Sequence, residues 1–180
     1  MGWVIFGGKL LAITISQATS ADAREMIDLW RYGAKSGNWA FIGSTSIPAK
    51  TELANLRREL ASKTPTTVRL IARDNTTGKL VGNIAGAWRH ESRMRHVISC
   101  GWGVHPDFQR QGIGTALLSA LITYARMQGF KRMEAEIAIE NIASLRLAAK
   151  LGFIQESVRK LGFITDDCRF IDTITVVLIL

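Results

Sequence analysis

Cysteine is scarce in this sequence: Cys100 and Cys168 are the only two in 180 residues. At this spacing they make no disulfide framework or zinc site, and they suit a reducing cytosol. Cys100 falls in an apolar stretch and reads as a small core residue rather than a nucleophile. Histidine is nearly as rare. His90 and His96 flank a polar loop, His105 precedes Pro106, and no His-Cys-Asp spacing calls for a metal. Long apolar runs are missing too. The apolar start, Met1 to Phe6, is broken by Gly7, Gly8 and Lys9; it is too short to span a bilayer and lacks a signal peptide's basic head. Residues 1–9 therefore read as an extension, irregular or an extra strand, ahead of one domain over 10–180. There are no repeats, no low-complexity segment and no run of like charge. The net charge of +8 points to an anionic partner. The basic residues are dispersed, which argues against nucleic acid and leaves a phosphate-bearing small molecule or plain surface solvation.

What the chain does have is a glycine-rich turn between an apolar strand and an apolar helix. Val97, Ile98, Cys100, Trp102 and Val104 form the strand, and Pro106 stops it. Leu117, Leu118, Leu121, Ile122 and Ala125 recur at helical spacing after it. Between them lies Gln109-Arg110-Gln111-Gly112-Ile113-Gly114-Thr115. The first amides of a helix lack internal partners and sit at the positive end of its dipole, so a glycine turn there suits a phosphate. The same glycines also serve an ordinary turn. A Walker loop would need a lysine between Gly114 and Thr115, and a dinucleotide fingerprint would need a small residue at Leu117.

The remaining chain alternates strands and helices. Leu10 to Ser16 reads as a strand. Thr19-Ser20 cap a helix through Ile27, Leu29 and Trp30, with Asp22 in its first turn. Residues 34–48 are irregular, and a charged helix spans 51–60. Val68–Ala72 and Leu80–Trp88 form a hairpin around Asp74–Gly78. The helix after the glycine turn ends near Gln128 with Gly129 beyond it. Met133–Ile139 is a strand, Asn141–Leu151 a helix closed by Gly152, and 153–164 with 170–180 a final hairpin around Asp166-Asp167.

The spacing Gln/Arg-x-x-Gly-x-Gly at 109–114 resembles motif A of the GNAT superfamily of acetyl-CoA-dependent N-acetyltransferases. Asn141-Ile142-Ala143-Ser144-Leu145-Arg146-Leu147-Ala148-Ala149-Lys150-Leu151-Gly152-Phe153 resembles its motif B. Read without the family, Asn141 simply caps a helix and Gly152 ends it. The resemblance covers residues from about 10 to the end, most specifically 97–156, and its closing stretch is similar to the ribosomal-protein acetyltransferase branch. It implies an α/β fold: a mixed, mainly antiparallel sheet with flanking helices, in which a parallel pair, the strands at 97–104 and 133–139, is splayed. A bulge at Gly103 and Val104 would cause the splay, and the pantetheine arm of CoA would lie in it. The implied cofactor contacts are Trp102, Gly103, Val104, Gln109, Arg110, Gln111, Gly112, Ile113, Gly114, Thr115, Asn141 and Lys150, with the Val104 amide facing the acetyl oxygen. No metal is implied.

The family's usual proton donor to the leaving thiolate, a tyrosine, falls on Ala148, which cannot do this. Ser144, one turn earlier on the same helix face, is the substitute proposed in tyrosine-lacking relatives; water or an unassisted thiolate also stays open. For the base, Glu134, Glu136 and Glu140 alternate with Met133, Ala135, Ile137 and Ile139. A carboxylate on the covered strand of a parallel pair needs a reason, and a cleft supplies one. Glu136 also matches the position of the proposed base in the ribosomal-protein branch. Glu134 and Glu140 read as solvating the strand ends, and an ion pair with Lys or Arg is the plain alternative for Glu136. The expected function is acetyl transfer to a primary amine of a small molecule or protein N-terminus, in the cytoplasm, without membrane or nucleic acid. A weak acyl-CoA-binding module is the alternative, and a homodimer is left open.

Overall fold

The structure is a computed structural model describing residues 4–6, 9–35, 49–62, 65–90, 93–165 and 167–180. Among the described residues the elements follow one another as β1 (Val4–Phe6), β2 (Lys9–Leu11), β3 (Ile13–Gln17), α1 (Ala23–Lys35), α2 (Ala49–Leu60), β4 (Thr67–Asp74), β5 (Leu80–Ala87), β6 (Val97–Val104), α3 (Ile113–Met127), β7 (Arg132–Ala138), α4 (Ile142–Lys150), β8 (Ile154–Ile164) and β9 (Phe170–Ile179), with a 3₁₀ turn at Pro106–Phe108. β1 and β2 pair only with each other, while the rest form a seven-stranded sheet in the order β3-β4-β5-β6-β7-β9-β8. The N-terminal extension thus contributes a strand, but the expected strand over 10–16 is divided. Leu10 and Leu11 belong to the small sheet, and the main sheet starts at Ile13. Ala12 lies between the two, its carbonyl accepting from the Asn75 amide at 2.8 Å. Most of the irregular stretch expected over 34–48 lies outside the described residues, as does Asp166.

Alternation along β4 shows how the layers form. Val68, Leu70 and Ala72 join a core built on Leu117, Leu118 and Leu121 of α3, whereas Ile71 joins Met26, Ile27 and Leu29 of α1. Period-2 side chains feed two helical layers from one strand. Asp22 precedes α1 instead of sitting in its first turn. Its carbonyl accepts from the Met26 amide, and its carboxylate accepts from the Thr19 amide and hydroxyl, both at 2.8 Å. Arg73 then fastens β4 to this helix start through Asp22 at 2.6 Å and Glu25 at 2.8 Å. Gly129 and Gly152 stand at the helix ends with φ of +81° and +89°, as the sequence predicts.

The feature that positions the site is the junction of β6 and β7. They are parallel neighbours but pair over only three rungs: Val97 with Arg132, Ile98 with Met133, and Ser99 with Glu134. Beyond these, β6 stays with β5 as far as Val104, and β7 stays with β9 as far as Ala138. Each strand keeps its antiparallel neighbour, the better pairing per residue, and the two halves of the sheet part. The expected splay is present, but the expected bulge is not. The β5–β6 register runs without a shift through Gly103 and Val104.

Candidate active site

Two cavities lie along this parting. The larger, about 620 Å³, is lined by Trp102, Gly103, Val104, Gln109, Arg110, Gly112, Ile113, Gly114, Thr115, Asn141 and Ser144. The smaller, about 210 Å³, is lined by Glu136 together with Cys100, Gly101, Ala138 and Phe163. They share Trp102, Asn141 and Ser144, so the two spaces meet at those side chains. Of the residues expected to bind the cofactor or to act in catalysis, Gln111 and Lys150 stand outside both linings. Gln111 is exposed in the turn, and Lys150 is exposed in the last turn of α4.

The rim of the larger cavity is the glycine turn. Gly112 takes a left-handed φ of +86° at the N-cap of α3, and Arg110 a φ of +60° two residues before. Left-handed residues in such a turn line up successive backbone N–H groups into an anion-binding concavity. Ala116 is the first residue to close an intrahelical bond, to the Gly112 carbonyl at 3.0 Å, so the earlier amides have no acceptor within the helix. Gln109 supports the turn from below, its side-chain amide donating to the Val104 carbonyl at 3.4 Å. Gly114 has a different reason to be glycine. A Cβ there would stand 3.2 Å from Leu147 Cδ2 and 3.6 Å from Val104 Cγ2, so its small size lets the start of α3 pack against α4 and β6.

Motif B builds the other wall. The Asn141 carboxamide oxygen accepts from the Ser144 amide at 3.1 Å and caps α4. That places Ser144 at the shared boundary of the two cavities. Ala148 is fully buried in the core, a packing position with no room for proton-transfer chemistry.

Glu136 sits where the strands have parted, facing the smaller cavity. Its Oε1 accepts from the Thr173 hydroxyl at 2.5 Å, and its Oε2 from the Arg159 guanidinium at 3.0 Å. Thr173 is fully buried, whereas the Arg159 side chain is 64% exposed. Glu134 pairs with Arg132 at 3.1 Å and accepts from Ser99 at 3.0 Å. Glu140 pairs with Arg169 at 2.6 Å. β7 ends at Ala138, so Glu140 lies in the turn and Ile139 is exposed, not on the buried face expected for it. The floor of this corner is bare. A Cβ on Gly101 would meet nothing within 4 Å. Across the adjoining β5, Asn83 accepts from the Trp30 indole at 3.0 Å.

Electrostatics separate the remaining candidates. Burial, and then the Glu134 charge, push the Cys100 thiol up to about 12, so it stays protonated and is no nucleophile. His105 is buried under Tyr32, with ring centroids 4.6 Å apart. Desolvation and the neighbouring Lys79 ammonium lower its pKa, only partly offset by Asp107. It is a neutral packing histidine facing α1. Sequence reasoning missed Thr173, Arg159 and Phe163, all brought to Glu136 by the β8–β9 hairpin, whose register no local pattern specifies.

A family model described as acetyltransferase (GNAT) family matches residues 38–153. The L-amino acid N-acyltransferase MnaT of Escherichia coli (strain K12) is 45% identical over 69 residues, 38% of this chain and 40% of the relative. The ribosomal protein bS18-alanine N-acetyltransferase of the same strain is 38% identical over 66 residues, 37% of this chain and 45% of the relative. The aligned stretch thus spans less than half the length of these curated relatives. Among solved structures, yncA, a putative acetyltransferase from Salmonella typhimurium with its cofactor acetyl-CoA, is 27% identical. It aligns over 94% of each chain with a TM-score of 0.77. An acetyltransferase from Streptococcus pneumoniae at 20% identity covers 93% of this chain and 99% of its own with a TM-score of 0.80, a likeness of fold alone.

Proposed function

Since this chain belongs to the acetyltransferase (GNAT) family, we propose that it moves the acetyl group of acetyl-CoA to the primary amine of a small molecule or a protein N-terminus. The observation that carries this reading is the meeting of the two cavities at Trp102, Asn141 and Ser144. One cavity is rimmed by helix amides fit for a pyrophosphate, and the other holds a carboxylate. Pantetheine laid along the parting of β6 and β7 brings the thioester to that meeting point.

The amine nitrogen attacks the thioester carbonyl carbon, the C–S bond breaks, and CoA leaves as the thiolate with the electron pair. The Val104 amide faces the developing oxyanion. Glu136, directly or through one water, takes the proton the amine must lose. Ser144 stands at the boundary where a hydroxyl proton can pass to the thiolate. Transfer is direct, with no acyl-enzyme. The two free cysteines suit a reducing cytosol.

Thiol release from acetyl-CoA against a panel of amines, read by absorbance and checked by mass spectrometry of the acetylated product, tests the reading. With a verified acceptor, Glu136→Gln is expected to bind acetyl-CoA as wild type does and to lose on the order of 10²-fold in rate. Wild-type turnover in that variant would remove Glu136 from the mechanism.

A further inference from the structure

The corner around Glu136 holds one fixed partner and one exchangeable one. Thr173 is fully buried on β9 and donates to Oε1 at 2.5 Å. Its place is built in from the neighbouring strand: a Cβ on Gly162 would collide with Thr173 Oγ1 at 2.2 Å, so β8 carries a glycine there. Arg159 reaches Oε2 from the exposed face of β8 at 3.0 Å. An ion pair with one side chain mostly in water contributes little net stability, so little holds the guanidinium in place.

That pair has a consequence for any amine entering the corner. A protonated amine approaching Glu136 meets a second cation already seated on the carboxylate, and like charges at contact distance repel. An acceptor bearing its own carboxylate a bond or two from the amine avoids this. Its carboxylate takes the guanidinium in a charge-assisted, geometrically matched pair, and its ammonium takes the place vacated beside Glu136. Thr173 meanwhile keeps the Glu136 carboxylate where it was. Two pairs form from one, with charge matched throughout.

Resting on the acetyltransfer reading above, we infer that Arg159 is a specificity-determining residue that reads a carboxylate on the acceptor and, in doing so, releases Glu136 to accept the amine proton. The acceptor class is then an amino acid with a free carboxylate near its amine, in preference to the corresponding amide, ester or decarboxylated amine.

The test is a matched pair of acceptors, an amino acid and its carboxamide, assayed with wild type, Arg159→Gln and Arg159→Lys. Wild type is expected to favour the acid in kcat/KM on the order of 10–10²-fold, the range of a hydrogen bond to a charged group. The preference should collapse toward unity in Arg159→Gln, chiefly through a higher KM for the acid, and return in part in Arg159→Lys. KM for acetyl-CoA reports the integrity of the fold and the cofactor site in each variant. No acid preference in wild type, or an undiminished preference in Arg159→Gln, overturns the inference while leaving acetyltransfer intact. Failure of wild type to acetylate any amine, with acetyl-CoA still bound, overturns the acetyltransfer reading and the inference with it.

Discussion

Replacing Gly162 with alanine probes the least obvious contact in the site. The added Cβ would lie 2.2 Å from Thr173 Oγ1, 2.8 Å from Cγ2 and 2.9 Å from Cβ, whereas carbon atoms pack best at about 3.5–4.0 Å. The far end of a flexible side chain could give way, but Thr173 is fully buried. Either it swings off Glu136 or β8 moves by about 1 Å. Overpacking of this kind costs about 1–3 kcal/mol, and a domain of this size loses roughly 2–4 °C in Tm per kcal/mol. Differential scanning calorimetry of Gly162→Ala should therefore show a Tm lower by roughly 2–12 °C. Losing a hydrogen bond to a charged group is worth about 1.5–3 kcal/mol, so kcat should fall by roughly 10–10²-fold with KM for acetyl-CoA unchanged. Gly101→Ala is the control for stability, because its Cβ meets nothing within 4 Å, and its Tm should hold. A Gly162→Ala protein with wild-type Tm and kcat would refute the account of Thr173 as the fixed support of Glu136.

Ser144→Ala should lower turnover on the order of 10²-fold, with CoA affinity kept, if the hydroxyl protonates the thiolate; an unchanged rate would assign that step to water or to none. Gly112→Val forces a branched side chain into a left-handed N-cap at φ +86°, and the thermal stabilisation normally given by CoA should disappear; a folded variant with normal CoA affinity would rule out the turn as the phosphate site. His105 is held neutral by burial and by Lys79, below its ordinary 6.5. The unfolded chain therefore binds the extra proton first, and the contribution is full above 6.5 and lost as pH falls toward the folded value. Urea unfolding across that acidic window should show wild type losing stability more steeply than His105→Asn, and equal slopes would remove His105 as the cause.

Much of this was legible because it is local. The strand, glycine turn and helix from Val97 to Met127 follow from apolar spacing and a breaker at Pro106, and Asn141 caps the helix the sequence predicts. The expected bulge at Gly103 and Val104 was read from family likeness and is absent, since β6 keeps an unbroken register with β5. Glu136 stood out as a charge on a covered strand, yet nothing nearby in sequence points to its partners. Thr173 and Arg159 lie 37 and 23 positions away, and only long-range strand pairing sets them beside it: β9 lies against β7, and Arg159 of β8 pairs with Thr173 of β9. His105 illustrates the reverse limit. Its neighbours in sequence describe a turn, while its burial comes from Tyr32 on α1.

The three-rung junction between β6 and β7 also bears on how long the empty protein lasts. A seven-stranded sheet gains cooperativity from continuous ladders, and this one is nearly divided in the middle, where β6 and β7 pair over three rungs. The β6–β7 ladder ends at Ser99 and Glu134, so the strand edges that part there should exchange with deuterium on the timescale of local opening, not global unfolding. A pantetheine arm carrying its own amides would supply the missing rungs. Cofactor binding would then be in part the completion of folding, and cellular acetyl-CoA would set the protein's resistance to proteolysis by mass action.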